Sequence, residues 1–398
     1  MLDAYIYDGA RTAFGKYCSS LAHVRPDDLA AAVIKALVER IDPLLIDDVI
    51  LGCACQSGED SRNVARYATL AAGLPVEVSA QTINRLCGSS LAAIIDAARA
   101  ITCDEGSLFI AGGVESMTRA PLTFNKSNTA FSKDITVYDS AIGVRFPNPI
   151  IGKLYGHEAM PETANNVARA AHISREQCDA FAFNSQQKWA SATNNGYFEE
   201  EIIPINIPQK RDKPDLVVDK DEHPRANTTL DKMSSMRSLY EDGVVTAANA
   251  SGINDGAAAL LVGSRAFGEQ HQLKPMARIL GGASAGIEPS IMGLGPVPAC
   301  QKLLKRLGLS IDQMDVIEVN EAFAAQVLGG LKQLGIAEND PRVNPNGGAI
   351  SVGHPLGASG ARLALTASRQ LQRANGRYAL ITMCIGVGQG IAMVIERS

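Results

Sequence analysis

The chain has 398 residues, 46% of them hydrophobic and 20% charged, enough to bury more than one core and too apolar for disorder. Its 37 Lys and Arg against 42 Asp and Glu leave a formal net charge of −5, which argues against nucleic acid as a partner, because such proteins carry a basic excess. No apolar run reaches the roughly 18 to 20 residues of a membrane span, and Asp3 and Asp8 stand where a signal peptide would be basic; the expectation is a soluble, cytoplasmic protein.

Taken in chain order, the elements repeat. AYIYDGARTAFGK precedes a helix-like DDLAAAVIKALVERI and a strand-like DDVILGCACQ; later ARILGGASAGIEP precedes PACQKLLKRLGL and MDVIEVNEAFAAQ. Next, VSAQTINRLCGSSLAAIIDAARAI with SLFIAGGVESM parallels RVNPNGGAISVGHPLGASGARLALTASRQL with YALITMCIGVGQG. Short Val/Ile runs alternate with helices whose apolar residues recur at three and four, as in Leu91, Ile94, Ile95 and Ala98. This predicts an α/β protein of two pseudo-repeated β-α-β-α-β halves. Residues 121–248 break the repeat with polar and Pro/Lys/Asp-rich stretches, and GAAALLV at 256–262 returns to a buried pattern. The expected division is 1–120 with 249–270 as one half, 121–248 as an inserted loop domain, and 271–398 as the other half.

Eight cysteines in such a length are too dilute for a disulfide framework. Cys87 lies where a strand and loop should turn into a helix with Gly88, Ser89 and Ser90 in its first turn. There the helix dipole would lower the thiol pKa; the plainer alternative is a buried structural cysteine. His354, in GGAISVGHPLGASGAR, occupies the matching place of the second half; alone, a His before Pro reads more plainly as a loop cap, but a pseudo-twofold repeat would bring the two to one site, nucleophile beside base. Cys384 opens a turn containing Gly386, Gly388 and Gly390, whose N–H groups suit an oxyanion, although a packed strand-end cysteine is the plainer reading from the residues alone. Asn320 and Glu321, at another strand end, read either as a helix cap with its first-turn acid or as holders of a water. Cys53-Ala-Cys55 has the wrong spacing for a metal pair, and the histidines His23, His157, His172, His223 and His271 show no ligand spacing. No metal is assigned.

NRLCGSS, GGVESM, NASGINDGAAA, NEAFAAQ, GGAISVGHPLGASGAR and CIGVGQG, in this order over the full length, resemble the thiolases, the acetyl-CoA acyltransferases. That resemblance implies a five-layered αβαβα fold, an inserted domain that holds coenzyme A, a homodimer or homotetramer, and coenzyme A and acyl-CoA thioesters as substrates with no cofactor. It implies Cys87 as the acylated nucleophile, His354 as its base, Cys384 as the acid/base for the acetyl methyl carbon, and Asn320 as holder of a catalytic water. The backbone N–H groups of Cys87 and Gly386 would form one oxyanion hole; the Asn320 water and His354 would form the other. Ser251 matches a residue that contacts pantetheine, Arg225 resembles one near the adenine nucleotide, and Met160 matches a methionine lining the acyl pocket. The seven bases between 208 and 240, Lys210 and Arg211 among them, face six acids and read by themselves as a solvated surface.

Two departures bear on substrate. Ala159-Met160-Pro161 replaces the HMG of biosynthetic acetoacetyl-CoA thiolases, and Ser90 stands where many members have Gly. GEDSRNVAR, IGVRFPNP and YGHEAMPETA resemble the branch that cleaves 3-oxoadipyl-CoA to succinyl-CoA and acetyl-CoA in aromatic catabolism. Its distal carboxylate needs a cation, for which Arg145 and Arg62 are the expected candidates, each with a surface or interface salt bridge as the alternative. Other readings are an acetyl-CoA C-acetyltransferase, a general fatty-acid thiolase, a ketoacyl synthase, whose second histidine is replaced here by NEAFA, and a non-catalytic coenzyme A binder.

Overall fold

The structure is a computed structural model that describes residues 1–39, 41–209 and 213–398; Lys210 and Arg211, counted above among the bases, lie outside them. The first half runs β1 (Ala4–Thr12), α1 (Pro26–Val38), β2 (Asp48–Gly52), α2 (Val64–Ala71), β3 (Ser79–Ile83), α3 (Ser89–Thr102) and β4 (Leu108–Ser116), then resumes at β5 (Asn254–Gly263). Between β4 and β5 lie α4 (Met160–Ala171) and α5 (Arg175–Asn194) with short strand pairs. The second half is β6 (Ala277–Gly286), α6 (Pro296–Leu307), β7 (Val316–Val319), α7 (Ala324–Leu334), α8 (Leu356–Ala374), β8 (Tyr378–Ile385) and β9 (Gln389–Arg397).

The strand order β3-β2-β4-β5-β1 continues through β6-β9-β8-β7. Pairing senses repeat as well. In the first half β2 is parallel to β3 and β4, while β5 is antiparallel to β4 and β1. In the second, β7 is parallel to β8 and to a single bridge at Val343, while β9 is antiparallel to β8 and β6. Val343 thus stands where β3 stands in the first half. The repeat is longer than the β-α-β-α-β units expected from the sequence. β3 reads SAQTI, half-exposed at the sheet edge, so it lacks the apolar run that marks its buried neighbours.

Three cores define the layers. Leu29, Val33 and Ile34 of α1 and Val64 of α2 pack on Val49 and Leu261 outside the first half's strands. Leu303 of α6 and Val327 and Leu331 of α7 pack on Val319 and Val394 outside the second half's strands. Between the strand layers, Leu91, Ile94 and Ile95 of α3 meet Leu363 and Leu365 of α8, with Ile6 and Ile381 from either side. The result is a five-layered αβαβα stack. Central placement explains why α8, rich in Ala, Gly and Ser, is buried on nearly every face. Ser90, unusual by the resemblance, docks the two central helices, because its Oγ accepts the Ala361 N–H at 3.0 Å.

Starting with Pro26 at its first position and Asp27 and Asp28 in its first turn, α1 has the charge its N-terminus favours. α4 and α5 dock on the second half through Ala168, Ala171 and Ala182 against Ala324, Leu328 and Ile350. Among the described residues no helix is long and apolar enough to cross a membrane.

Candidate active site

Cys87 ends a tight turn between β3 and α3. Leu86 sits in the left-handed region at φ 46°, a conformation that costs a residue with a side chain roughly 1–2 kcal/mol and that must be held from outside. Asn84 holds it: its Oδ1 accepts the Leu86 N–H at 2.9 Å and its Nδ2 donates to the Ala54 carbonyl at 3.1 Å. Gly88 follows because any Cβ there would lie 2.6 Å from Ile385 Cδ1, so the start of α3 can approach β8 only without a side chain.

The Cys87 thiol does not behave as a helix dipole alone would dictate. Burial pushes its pKa up to about 11, against the pull of a backbone hydrogen bond from Gly386, with the Glu115 charge adding to the rise. The dipole expectation is therefore corrected: desolvation wins and the resting group is a thiol. Cys384, at the end of β8, is buried, and burial together with the nearby Cys87 raises its pKa further still. Both sulfurs and the Gly386 N–H therefore converge on one spot.

His354 is 5% exposed. Its own N–H is accepted by Asn254 Oδ1 at 2.9 Å, and Gly353 before it has φ 108° with no room for a Cβ against Asn254. Ser359 fixes the ring. Its single hydroxyl hydrogen goes to the Pro355 carbonyl at 2.8 Å, so at 2.6 Å from Nδ1 it accepts. Nδ1 then carries the proton and Nε2 the lone pair, 3.3 Å from Asn320 Nδ2. Burial, then the Arg362 charge, lowers the imidazole pKa to about 3. Burial thus favours a neutral thiol at Cys87 and a neutral imidazole at His354.

Asn320 follows β7, its N–H bound to the Thr382 carbonyl at 3.0 Å two residues before Cys384. Its Oδ1 is a buried acceptor without a partner among the described residues. Neither Asn320 nor Glu321 caps a helix, because α7 starts later, with Phe323 as its N-cap. Glu321 instead binds Ser185 Oγ, Asn344 Nδ2 and the Ile350 N–H at 2.7 to 3.1 Å, holding the loop that leads to His354.

The remaining expected residues spread outward. Met160, the first residue of α4, packs on an apolar cluster of Cys384, Met292, Ala322 and Phe323, and its sulfur would lie 3.9 Å from a Cβ on Gly386. Ser251 is tied by its N–H to the Ala322 carbonyl at 2.9 Å. Arg225 is exposed and lines a small cavity with Gln186, His223, Thr228 and Lys232. Arg145 is half-buried; Nη1 and Nη2 each reach the Cys55 carbonyl at 3.2 Å, and Nη1 also meets Ser57 Oγ. Neither Arg145 nor Arg62 pairs with an acid among the described residues. Arg62 is exposed at φ 69° on the loop before α2. Cys53, Asp60 and Glu115 place ligand atoms within 4.8 Å of one another, but N–H and S–H donors already occupy both carboxylates.

Sequence reasoning missed Asn254, Ser359 and Glu115. Ser359 lies five residues after His354 in a helix start, a spacing that could have been read; the other two act across the chain.

The low imidazole pKa carries a stability consequence. Between about pH 6.5 and 3 the unfolded chain takes a proton that buried His354 refuses, so this group's contribution is lost as pH falls through that window. Relative to His354→Asn, the wild type should lose roughly 2 to 3 kcal/mol more stability between pH 7 and 4.5. Urea unfolding of both proteins at the two pH values checks this; equal losses would contradict it.

The model of the thiolase N-terminal domain matches residues 4–266 and that of the thiolase C-terminal domain residues 273–397. The chain belongs to the thiolase family. It is thereby an acyltransferase. A beta-ketoadipyl-CoA thiolase of Acinetobacter baylyi is 56% identical over 401 residues, covering 100% of both chains. The 3-oxoadipyl-CoA/3-oxo-5,6-dehydrosuberyl-CoA thiolase of Escherichia coli K12 is 55% identical, again over 100% of both. The crystal structure of human mitochondrial 3-ketoacyl-CoA thiolase in complex with CoA superposes with a TM-score of 0.91 at 38% identity, covering 100% of this chain and 98% of that one.

Proposed function

We propose that the chain cleaves 3-oxoadipyl-CoA with coenzyme A to succinyl-CoA and acetyl-CoA. The observation that carries this reading is the convergence of Cys87, Cys384 and the Gly386 N–H on one spot, in a chain 56% identical throughout to a beta-ketoadipyl-CoA thiolase. Cys87 Sγ attacks the C3 keto carbon while His354 Nε2 takes its proton, and the new alkoxide is met by the Cys87 and Gly386 N–H groups. The C2–C3 bond then breaks, leaving succinyl on Cys87. The departing acetyl-CoA enolate takes a proton at C2 from Cys384, its oxygen facing protonated His354 and a water on Asn320. Free coenzyme A then attacks the acyl-cysteine, its thiol proton passing to the Cys384 thiolate; succinyl-CoA leaves and the Cys87 sulfur takes back the proton held by His354, completing the turnover.

A neutral resting pair suits this order, because charge separates only when the alkoxide and enolate have donors to receive them. Ser251 and Arg225 hold the coenzyme A chain at the insertion of residues 121–248, between halves 1–120 with 249–270 and 271–398. Coenzyme A serves as a substrate, and no metal or cofactor enters. The same reading makes the enzyme a cytoplasmic homodimer or homotetramer.

Of the two cations, Arg145 is the one this reading assigns to the distal carboxylate. Its guanidinium is held by neutral oxygens of Cys55 and Ser57, leaving its charge unmatched, whereas Arg62 is exposed. Arg145→Met should lower kcat/KM for 3-oxoadipyl-CoA by roughly 2 to 4 kcal/mol of transition-state stabilisation and leave acetoacetyl-CoA cleavage nearly unchanged. Equal losses on both substrates would remove the arginine from substrate recognition, and the same assay on Arg62→Met tests the alternative.

A further inference from the structure

Glu115 closes β4, a strand otherwise built of apolar and small residues, and is 1% exposed. Among the described residues no cation pairs with it; its partners are backbone and thiol donors. Oε2 accepts the Ala54 N–H at 3.0 Å and the Gly357 N–H at 2.8 Å, while Oε1 accepts the Cys55 N–H at 3.0 Å and faces Cys53 Sγ at 3.6 Å.

We propose that Glu115 is a positioning residue for the thiolase reaction, holding the turn of Cys87 and the helix start of His354 in register from one buried carboxylate. This rests on the reading of Cys87 and His354 given above. One arm runs to the base. The N-cap of α8 is Pro355, whose side chain offers no acceptor, so the Gly357 N–H, one of the orphan donors of a helix start, takes its acceptor from the opposite half. That same turn carries Ser359, which fixes the His354 ring. The helix start lies hard against β4, because a Cβ on Gly357 would fall 2.2 Å from the Val114 carbonyl and one on Gly113 2.1 Å from the Gly357 carbonyl.

The other arm runs to the nucleophile. Glu115 fixes the N–H groups of Ala54 and Cys55, and the Ala54 carbonyl receives Asn84 Nδ2, the residue that holds the left-handed turn at Leu86. Removing the carboxylate therefore releases three buried N–H groups and unlinks two loops that carry the reacting atoms. The groups facing Glu115 are Asp60, Cys53, Cys55 and Cys87, and burial, with Asp60 adding to it, raises the carboxyl pKa to about 7. Its charge state thus changes within the working range.

The test is Glu115→Gln, which keeps the shape and one acceptor oxygen but presents an amide to N–H groups. Circular dichroism should show it folded. The expected result is a fall in kcat of ~30- to 100-fold with KM within about threefold, as small misplacements of reacting groups produce. The wild-type kcat should also fall as pH drops through about 7, and this limb should vanish in the variant. A wild-type kcat, a change confined to KM, or an unaltered limb would overturn the proposal. Should the glutamine variant fail to fold, Asn84→Ala cuts one arm alone; a kcat loss of ~10-fold at constant KM supports the proposal and an unchanged kcat refutes it. Both variants are also assayed with acetoacetyl-CoA, so that failure of the 3-oxoadipyl reading leaves the Glu115 result separately legible.

Discussion

Cys87→Ser should lose at least about two orders of magnitude in turnover while still binding coenzyme A. The thiol already resists ionisation, its pKa raised to about 11, and the imidazole proposed to deprotonate it is a weak base, its pKa lowered to about 3. Sulfur tolerates this because it is a good nucleophile that loses its proton more readily than a hydroxyl. Oxygen at the same position would start further uphill with the same weak base. Steady-state release of acetyl-CoA measures the loss, and retention of more than a few per cent of the wild-type rate, with undiminished acyl-enzyme, would remove Cys87 from the nucleophile's role.

Cys384→Ala should fail differently. Without its proton donor the enolate cannot leave as acetyl-CoA, and kcat for cleavage should fall by roughly 10²- to 10⁴-fold, the range general acid catalysis supplies. Cys87 should still accept an acetyl group from acetyl-CoA, since that half-reaction forms no carbanion. Mass spectrometry of the variant after incubation with acetyl-CoA separates the two steps. An unmodified Cys87 peptide would contradict the division of labour between the two cysteines.

The architecture was legible because its two halves repeat the same order of strand and helix, and because β4 and β5, buried along their whole length, carry unbroken apolar or small runs. Edge strand β3 was read only as a strand before Cys87 and not as a member of the repeat, since SAQTI keeps polar side chains toward solvent. Cys87 and His354 stood out as matching helix starts, and the structure gives physical reasons for the glycines around them: Gly88 admits Ile385, and Gly353 admits Asn254 at positive φ. The charge state of the thiol was misread from local geometry, because the desolvation that outweighs the helix dipole comes from β8 and the opposite half. Asn254 and Glu115 escaped notice for a similar reason. Each is an ordinary polar residue in its own segment, and its partners lie 60 or more residues away. Arg62 and Arg145 looked equivalent in sequence, and only burial and hydrogen bonding distinguish them.

The most direct test of the account is to mix the wild-type enzyme with 3-oxoadipyl-CoA in the absence of free coenzyme A, quench with acid and digest. With no thiol to carry the acyl group away, the succinyl thioester should accumulate on the peptide containing Cys87, with one equivalent of acetyl-CoA released per site. A succinyl group on another cysteine, or release of acetyl-CoA with Cys87 unmodified, would contradict it.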